Sequence, residues 1–237
     1  EEAWPMTNNT LLFSYHDINI YEKEKSFFYP GQWLNDVCIY YGLKLFETEE
    51  LSSFAYSSVF LYFDPAVVSF LNLQVQDEEE YEELAHGLNI EAKVWLFVPV
   101  NDNSSFDGSS THWSLLLCNL QSQEAFHLDS SSNFNQRSGE RTLKKLRRLT
   151  RRDFKLRAIR VPQQFNSFDC GVYVILFAQA STHFIRENFE ELPNTGEHIP
   201  LDWIRRLENF LLANVTADSA SSYRHQMLSI IDSTKKS

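Results

Sequence analysis

Thr-His-Trp-Ser-Leu-Leu-Leu-Cys-Asn-Leu at 111–120, followed by Gln-Ser-Gln-Glu-Ala-Phe-His-Leu-Asp-Ser at 121–130, reads as two β-strands joined by Gln121 to Gln123. A turn centred near Leu120-Gln121 sets His112 opposite Asp129. A turn centre one residue further on sets His112 opposite Ser131, with Asp129 as its diagonal neighbour. Both registers keep the two side chains on one face and within reach of each other. Leu115, Leu117, Phe126 and Leu128 are the candidate apolar anchors of this hairpin. A carboxylate beside an imidazole fixes its tautomer and stabilises its protonated form. The same pair serves equally well as a structural hydrogen bond, and the hairpin alone does not choose.

Upstream, residues 1 to about 30 are polar and aromatic without clear periodicity and end at the turn signal Pro30-Gly31. WLNDVCIYYGLKLFE, 33–47, places Leu34, Val37, Cys38, Tyr41 and Leu45 at helical spacing. SSVFLYFDPAVVSFL then predicts a short strand and a helix opened by Asp64-Pro65. DEEEYEELAHGL is an acidic helix stopped near Gly87, EAKVWLFVPV a strand and NDNSSFDGSS a loop. Downstream, ERTLKKLRRLTRRDFKLRAIR carries ten of the 21 Lys and Arg residues. Leu143, Leu146 and Leu149 make its first part an amphipathic helix with a basic outer face, either a solvated surface or a partner site. LRAIRVP is a further strand, CGVYVILFAQASTHFIRENF a buried helix with Asp169 as N-cap, and about Pro200 to Ala213 an amphipathic helix. The polar remainder, 215–237, is a tail that can be mobile. Helices and strands mix without a βαβ rhythm, which predicts an α+β catalytic domain spanning the 237 residues.

Composition narrows the function. A hydrophobic content of 43% supports a substantial core, and the longest apolar runs are too short to span a bilayer. The chain opens on Glu1 rather than Met, as a processed or excised piece would, and no signal segment begins it. Three widely spaced cysteines, Cys38, Cys118 and Cys170, form neither a disulfide framework nor a zinc pattern, so a cytoplasmic or nuclear setting is expected. A net charge of −11 argues against general nucleic-acid binding and for a partner with a basic surface or tail. No HExxH, P-loop or dinucleotide fingerprint is present, and no metal or cofactor is expected.

Among the cysteines, Cys170 stands apart. It lies between Asp169 and Gly171 at a predicted helix start, where unpaired N–H groups and the positive helix end favour the thiolate, the nucleophilic form. Gly171 is expected to leave the backbone open to a substrate carbonyl. As an N-cap, the Asp169 carboxylate would oppose a thiolate electrostatically unless the backbone occupies it. A Cys, a His and an Asp converging from strand ends and a helix start point to nucleophilic catalysis.

GQWLND, THWSLL, HLDS and PQQFNSFDCG, in that order, resemble the Ulp-type (sentrin-specific) cysteine proteases, which remove ubiquitin-like modifiers. The resemblance spans roughly Trp33 to Phe177. It implies a papain-like core of the Ulp/adenain type, a central mixed sheet flanked by helices, and cleavage after a C-terminal Gly-Gly. It implies His112 as general base, Asp129 as its orienting carboxylate, Cys170 as nucleophile and Gln164 as donor to the oxyanion, a role that suits a neutral amide. Trp33 and Trp113 resemble the indole pair that encloses the modifier's tail; two flat rings admit Gly-Gly and clash with side chains. Asp36 matches an acidic position suited to the tail's arginine, and Asn101 and Asp102, which head a loop, Asn101 to Ser110, resembling the one that closes over the bound tail, are implied as further substrate-binding residues.

Within the family, VNDN with its small-residue loop, THWSLL and FDPAVVSFL resemble the deneddylases most. The implied partners are a Nedd-type modifier and its conjugates, such as cullin-type proteins, met by a monomer without nucleic acid or membrane. The N-terminal extension, the DEEEYEEL helix and the serine-rich HLDSSSNFN depart from the deneddylase pattern. SUMO-specific and ubiquitin-specific proteases of the same fold are the near alternatives. Acetyltransferase effectors share the catalytic layout but lack the double-tryptophan tunnel, and an inactive modifier-binding module has no reason to keep His112, Asp129, Gln164 and Cys170 together.

Overall fold

A computed structural model of the chain describes residues 9–103, 105, 110–191 and 196–235. Its centre is a five-stranded mixed sheet ordered β3-β4-β5-β6-β7, comprising Phe60–Tyr62, Trp95–Asn101, Trp113–Asn119, Glu124–Leu128 and Lys155–Arg157. The outer pairs β3/β4 and β6/β7 are parallel, and the inner three strands are antiparallel. Both faces are covered. Trp95, Phe97, Leu115, Leu117, Phe126 and Leu128 point to a larger core, while Leu96, Val98, Val100, Leu116, Cys118 and Ala125 point to a smaller one. The four anchors expected of the hairpin therefore share a face. Burial on both sides also explains why these strands read as continuous apolar runs rather than alternating ones.

The larger core is closed chiefly by α2 (Asp36–Phe46), α6 (Cys170–Glu187), α7 (Leu201–Asn214) and α8 (Ala217–Thr234). The smaller one is closed by α3 (Pro65–Leu73), α4 (Glu78–Gly87) and α5 (Gln136–Thr150). Local chemistry sets their starts. The Asn35 side chain accepts from the Cys38 N–H, Asp64 from Ala66 with Pro65 in the first turn, and Asp77 forms a capping box with Glu80. The basic helix α5 buries Leu143, Leu146 and Leu149 and turns Arg148 toward Glu78 of the acidic helix, with Arg151 just past its end pairing with Glu82.

Leu115 pairs with Leu128 and Asn119 with Glu124, which is the second of the two registers: by extrapolation His112 lies opposite Ser131 and Asp129 is its diagonal neighbour. The turn lacks glycine. Asn119 Oδ1 accepts from the Gln121 and Ser122 N–H groups, and Gln123 takes a positive φ of 55°.

The structure corrects four expectations. Residues 11–21 form a two-stranded hairpin, β1 (Leu11–Tyr15) and β2 (Ile18–Tyr21), followed by α1 (Glu22–Phe27); its tight turn relies on His16 at φ 53° instead of a glycine. The strand expected over 156–162 shrinks to Lys155–Arg157, because the Arg160 N–H then bonds Glu208 of α7. Asp169 holds the N-cap position of α6, but its side chain makes no cap bond. The tail is not loose: Thr216 caps α8, whose Ala220, Tyr223, Met227 and Ile231 are buried in the larger core.

If α8 is docked in this way, Met227→Ala and Ile231→Ala each cost about 2–5 kcal/mol in urea unfolding, the usual loss for a large-to-small change in a packed core. Losses below about 0.5 kcal/mol for both would mark 217–234 as a loosely attached surface segment.

Candidate active site

Three element ends meet at one place. His112 directly precedes β5, Asp129 directly follows β6 and Cys170 opens α6. His112 Nε2 lies 2.6 Å from Asp129 Oδ1, and all three side chains are buried. The Cys170 sulfur stands close enough to the same imidazole to raise its proton affinity. With Nε2 held by the carboxylate, Nδ1 is the nitrogen left for the sulfur. Phe134 packs edge-on against the ring at 5.5 Å.

A buried carboxylate must be satisfied, and Asp129 is. Its Oδ1 also accepts from the Ser131 N–H at 2.9 Å and its Oδ2 from the Asn135 N–H at 2.8 Å. Asn135 is itself pinned, its side chain donating to the Val100 carbonyl and to Ser114 Oγ. Desolvation pushes the Asp129 carboxyl up, but the bonds from His112, Asn135 and Ser131 outweigh it and hold it below the ordinary carboxylate range. For His112, desolvation pulls down, and Asp129 together with the neighbouring Cys170 sulfur overcomes it, raising the imidazole to about 9. At neutral pH the ring is therefore held in its protonated form beside a carboxylate. In that form it carries the proton that a cysteine sulfur gives up on becoming a nucleophile and can deliver it to a leaving group.

Asp102, expected to contact substrate, faces the chain instead. Its carboxylate accepts from Ser110 Oγ, from the Thr111 N–H and hydroxyl and from the His112 N–H at 3.1 Å, and these bonds hold it below its ordinary range against the desolvation that raises it. It clasps the approach to the histidine. The loop expected to close over the substrate, Asn101 to Ser110, includes residues 104 and 106–109, which lie outside the described residues.

Gln164 is tied to the same corner. Its N–H donates to the Ser130 carbonyl at 2.9 Å, its side-chain oxygen accepts from Ser130 Oγ at 2.7 Å, and its Nε2 spends one of two hydrogens on the Asn166 carbonyl. Asn166 Oδ1 accepts from the Phe168 and Asp169 N–H groups, so the turn carrying Gln164 runs without slack into Cys170.

Beside these groups lies a surface cleft of about 500 Å³ lined by Trp33, Leu34, Asp36, Ala66, Asn101 and Trp113, among others. Trp33 is 43% exposed and Trp113 is 7% exposed, so one indole is free-standing and the other is also part of the core. The cleft abuts this cluster on two sides: Trp113 is the neighbour of His112, and Leu34 packs on Gly171. A Cβ at Gly171 would come within 2.9 Å of Leu34 Cβ. Gly171 thus serves close packing of the helix start against the cleft wall, not an open path for substrate as expected. Reasoning from sequence missed Asn135, Ser130 and Asn166. Only Ser130 and Asn166 lay inside motifs, HLDS and FNSFDC, that could have flagged them.

A mixed sheet carrying a buried Cys-His-Asp cluster at its strand and helix ends defines a cysteine hydrolase layout. The chain belongs to the Ulp1 protease family, whose C-terminal catalytic domain matches residues 32–199. It is 30% identical to human sentrin-specific protease 8 over 77% of this chain and 86% of that one. It is 26% identical to NEDD8-specific protease 1 of Arabidopsis thaliana over 87% and 93% of the two chains. The fold is also that of a crystallised de-sumoylating protease, with a TM-score of 0.66 at 15% identity, covering 95% of this chain and 92% of the other. No helix among the described residues is long and apolar enough to cross a membrane.

The raised imidazole sets a linkage. A group shifted upward adds stability below its unfolded value, near 6.5 for His112, and that contribution disappears as pH rises through about 9. Asp129 is shifted downward, so its contribution is present above the unfolded value of 3.8 and fades as pH falls through the folded one. NMR titration of His112 should therefore show a midpoint near 9, and Asp129→Asn should bring it down toward the ordinary imidazole range. A midpoint near 6.5 in the unaltered protein would contradict the assigned bonds.

Proposed function

We propose that this protein is a cysteine isopeptidase that cleaves after the C-terminal Gly-Gly of a ubiquitin-like modifier, and that its preferred modifier is of the Nedd type. The observation that carries the reading is a buried thiol–imidazole–carboxylate cluster abutting a cleft between two indoles. In this mechanism the modifier's tail lies between Trp33 and Trp113, where a residue with a side chain would collide with the rings. Asp36, at the start of α2, faces the same cleft and attracts the arginine that precedes Gly-Gly. Asn101, at the end of β4, lines the cleft beside it.

Cys170 attacks the carbonyl of the last glycine while His112 holds the thiol proton and then passes it to the departing amine. Asp129 keeps the imidazole oriented. The remaining Nε2 hydrogen of Gln164 and the N–H groups at the start of α6 receive the developing oxyanion. Water then hydrolyses the thioester, with His112 taking the water's proton. Cys38 and Cys118 are buried, and burial pushes both thiols up, so they stay out of the chemistry.

The Nedd-type preference rests on the relatives named for NEDD8 and on the resemblance of the segment before His112 to the deneddylase loop. Conjugates of cullin-type proteins and the modifier's own precursor are the substrates this reading implies, acted on by a single polypeptide in the cytoplasm or nucleus.

Cys170→Ala should abolish turnover of a fluorogenic modifier substrate while keeping affinity for the modifier. Gln164→Ala should lower kcat about 10²-fold or more, the effect of losing one oxyanion donor. Turnover by the Cys170→Ala protein would end the proposed chemistry, and a Gln164→Ala effect confined to KM would remove its oxyanion role.

For specificity, kcat/KM should be highest for the Nedd-type substrate. Ubiquitin, with a bulky arginine where the Nedd-type tail has alanine, and SUMO should be weaker by roughly 10³-fold, because a charge left poorly solvated in the closed site costs several kcal/mol. Replacing the terminal Gly-Gly by Ala-Ala should block cleavage. Equal or faster SUMO cleavage would overturn the preference and leave the cysteine mechanism intact, whereas efficient Ala-Ala cleavage would reduce the indoles to ordinary packing.

A further inference from the structure

The most heavily engaged buried charge outside the cluster sits in the segment expected to be a mobile tail. Arg224 of α8 is 3% exposed. Its Nε donates to Asp169 Oδ1 at 2.8 Å, and Nη2 lies at the same distance from that oxygen. Nη1 donates to the carbonyls of Phe27 and Tyr29, and Nη2 to those of Gln32 at 2.8 Å and Phe168 at 3.2 Å. The guanidinium also lies over the Phe168 ring, 5.7 Å from its centroid. One fork of five N–H donors thus joins two stretches of chain far apart in sequence. Gln32 is the residue before Trp33, and Asp169 is the residue before Cys170. The family match ends at residue 199, before α8 begins.

Burying a guanidinium is justified energetically only if its bonds are good, and an equally stable apolar contact could have joined α8 to the core. What the fork adds is geometry and charge. It fixes the backbone just ahead of the exposed indole to the backbone just ahead of the thiol. It also neutralises a carboxylate one residue from a sulfur that must carry negative charge, a task the sequence assigns to the backbone, with which the Asp169 side chain makes no cap bond. We propose that Arg224 is a positioning residue of the active site: it sets the spacing between the tail cleft and Cys170 and cancels the Asp169 charge beside the nucleophile. The inference rests on the reading of Cys170 as nucleophile and Trp33 as cleft wall.

Two measurements separate the two effects in Arg224→Met, Arg224→Lys and the double variant Arg224→Met with Asp169→Asn. The first is the rate at which chloroacetamide alkylates Cys170, read by peptide mass spectrometry with Cys38 and Cys118 as internal references. The second is kcat and KM on a fluorogenic modifier substrate, with thermal melts confirming folding. Arg224→Met leaves the carboxylate with the Asn166 amide on Oδ2, at 2.8 Å, but no paired cation, so alkylation should slow about tenfold or more. KM should rise about tenfold or more as the Trp33 segment loses its hold. The double variant removes the unpaired charge and should regain the alkylation rate while keeping the raised KM. A merely structural arginine would not give that split.

Arg224→Lys retains a charge for Asp169 but not the fork. It should keep alkylation within about threefold and still raise KM, which decides the matter if Arg224→Met does not fold. A folded Arg224→Met protein with unchanged alkylation, kcat and KM would overturn the proposal while Cys170 remained the fast thiol. If Cys170 of the unaltered chain alkylated no faster than Cys118, the nucleophile reading would fall, and the proposal with it.

Discussion

The bond between His112 and Asp129 constrains more of this molecule than any other single contact. A carboxylate that is buried and ionised has to be met by donors on every side, and each of its donors dictates a piece of chain. The 2.6 Å contact with the imidazole requires β5 and β6 to pair in the register that makes the two residues diagonal neighbours. The bonds from the Ser131 and Asn135 N–H groups require the chain after β6 to fold back on itself, with Ser132 and Asn133 at positive φ. Asn135 then starts α5 and reaches to the Val100 carbonyl on β4. Asp102 clasps the other side of the histidine. Strand order, loop shape and helix start are thus tied to one charge. The raised imidazole and lowered carboxylate are the electrostatic expression of the same geometry.

Most elements were legible because burial of one stripe or one run leaves a pattern. Leu143, Leu146 and Leu149 announced α5, Asp64-Pro65 announced the start of α3, and Gly87 announced the end of α4. The register of the central hairpin was not legible, because its turn has neither glycine nor proline. Two centres one residue apart were equally good until Asn119 was seen folding its own side chain over the turn. The first hairpin escaped for a related reason: a histidine in the left-handed region carries no turn signature. The tail is different, since its signal was present and diluted. Ala220, Tyr223, Met227 and Ile231 recur at spacings of three and four, but serines and charges between them lowered the average hydrophobicity. A face can be narrow and still be a docking face.

For the site, the sequence supplied the groups whose chemistry is unusual and missed those whose chemistry is ordinary. His112, Asp129 and Cys170 could be brought together on the page because strands, helix starts and a family resemblance constrained each one. Arg224 and Asn135 could not. An arginine 55 residues beyond its carboxylate partner, or an asparagine whose backbone N–H holds the carboxylate while its side chain holds β4, looks like any surface residue until the fold is known. Gly171 shows the converse error. A glycine beside a candidate nucleophile suggested room for substrate, whereas Leu34 Cβ occupies the space a side chain would need.

That packing also bears on how one scaffold serves different modifiers. The proposed chemical groups stand at the start of β5, the end of β6 and the start of α6, each fixed by buried hydrogen bonds that tolerate little movement. The cleft is lined from other places: the segment before α2, the end of β4, the start of α3 and residues leading to His112. Leu34 against Gly171 and Trp113 beside His112 are the joints between the two sets. In the proposed reading, substitutions on the cleft side can therefore change which tail is accepted without disturbing the imidazole, provided the joints hold. Relatives bearing sentrin and NEDD8 names at 26–30% identity are what such a division permits. Rigidity is demanded of the few residues around Asp129, and freedom is left to the walls.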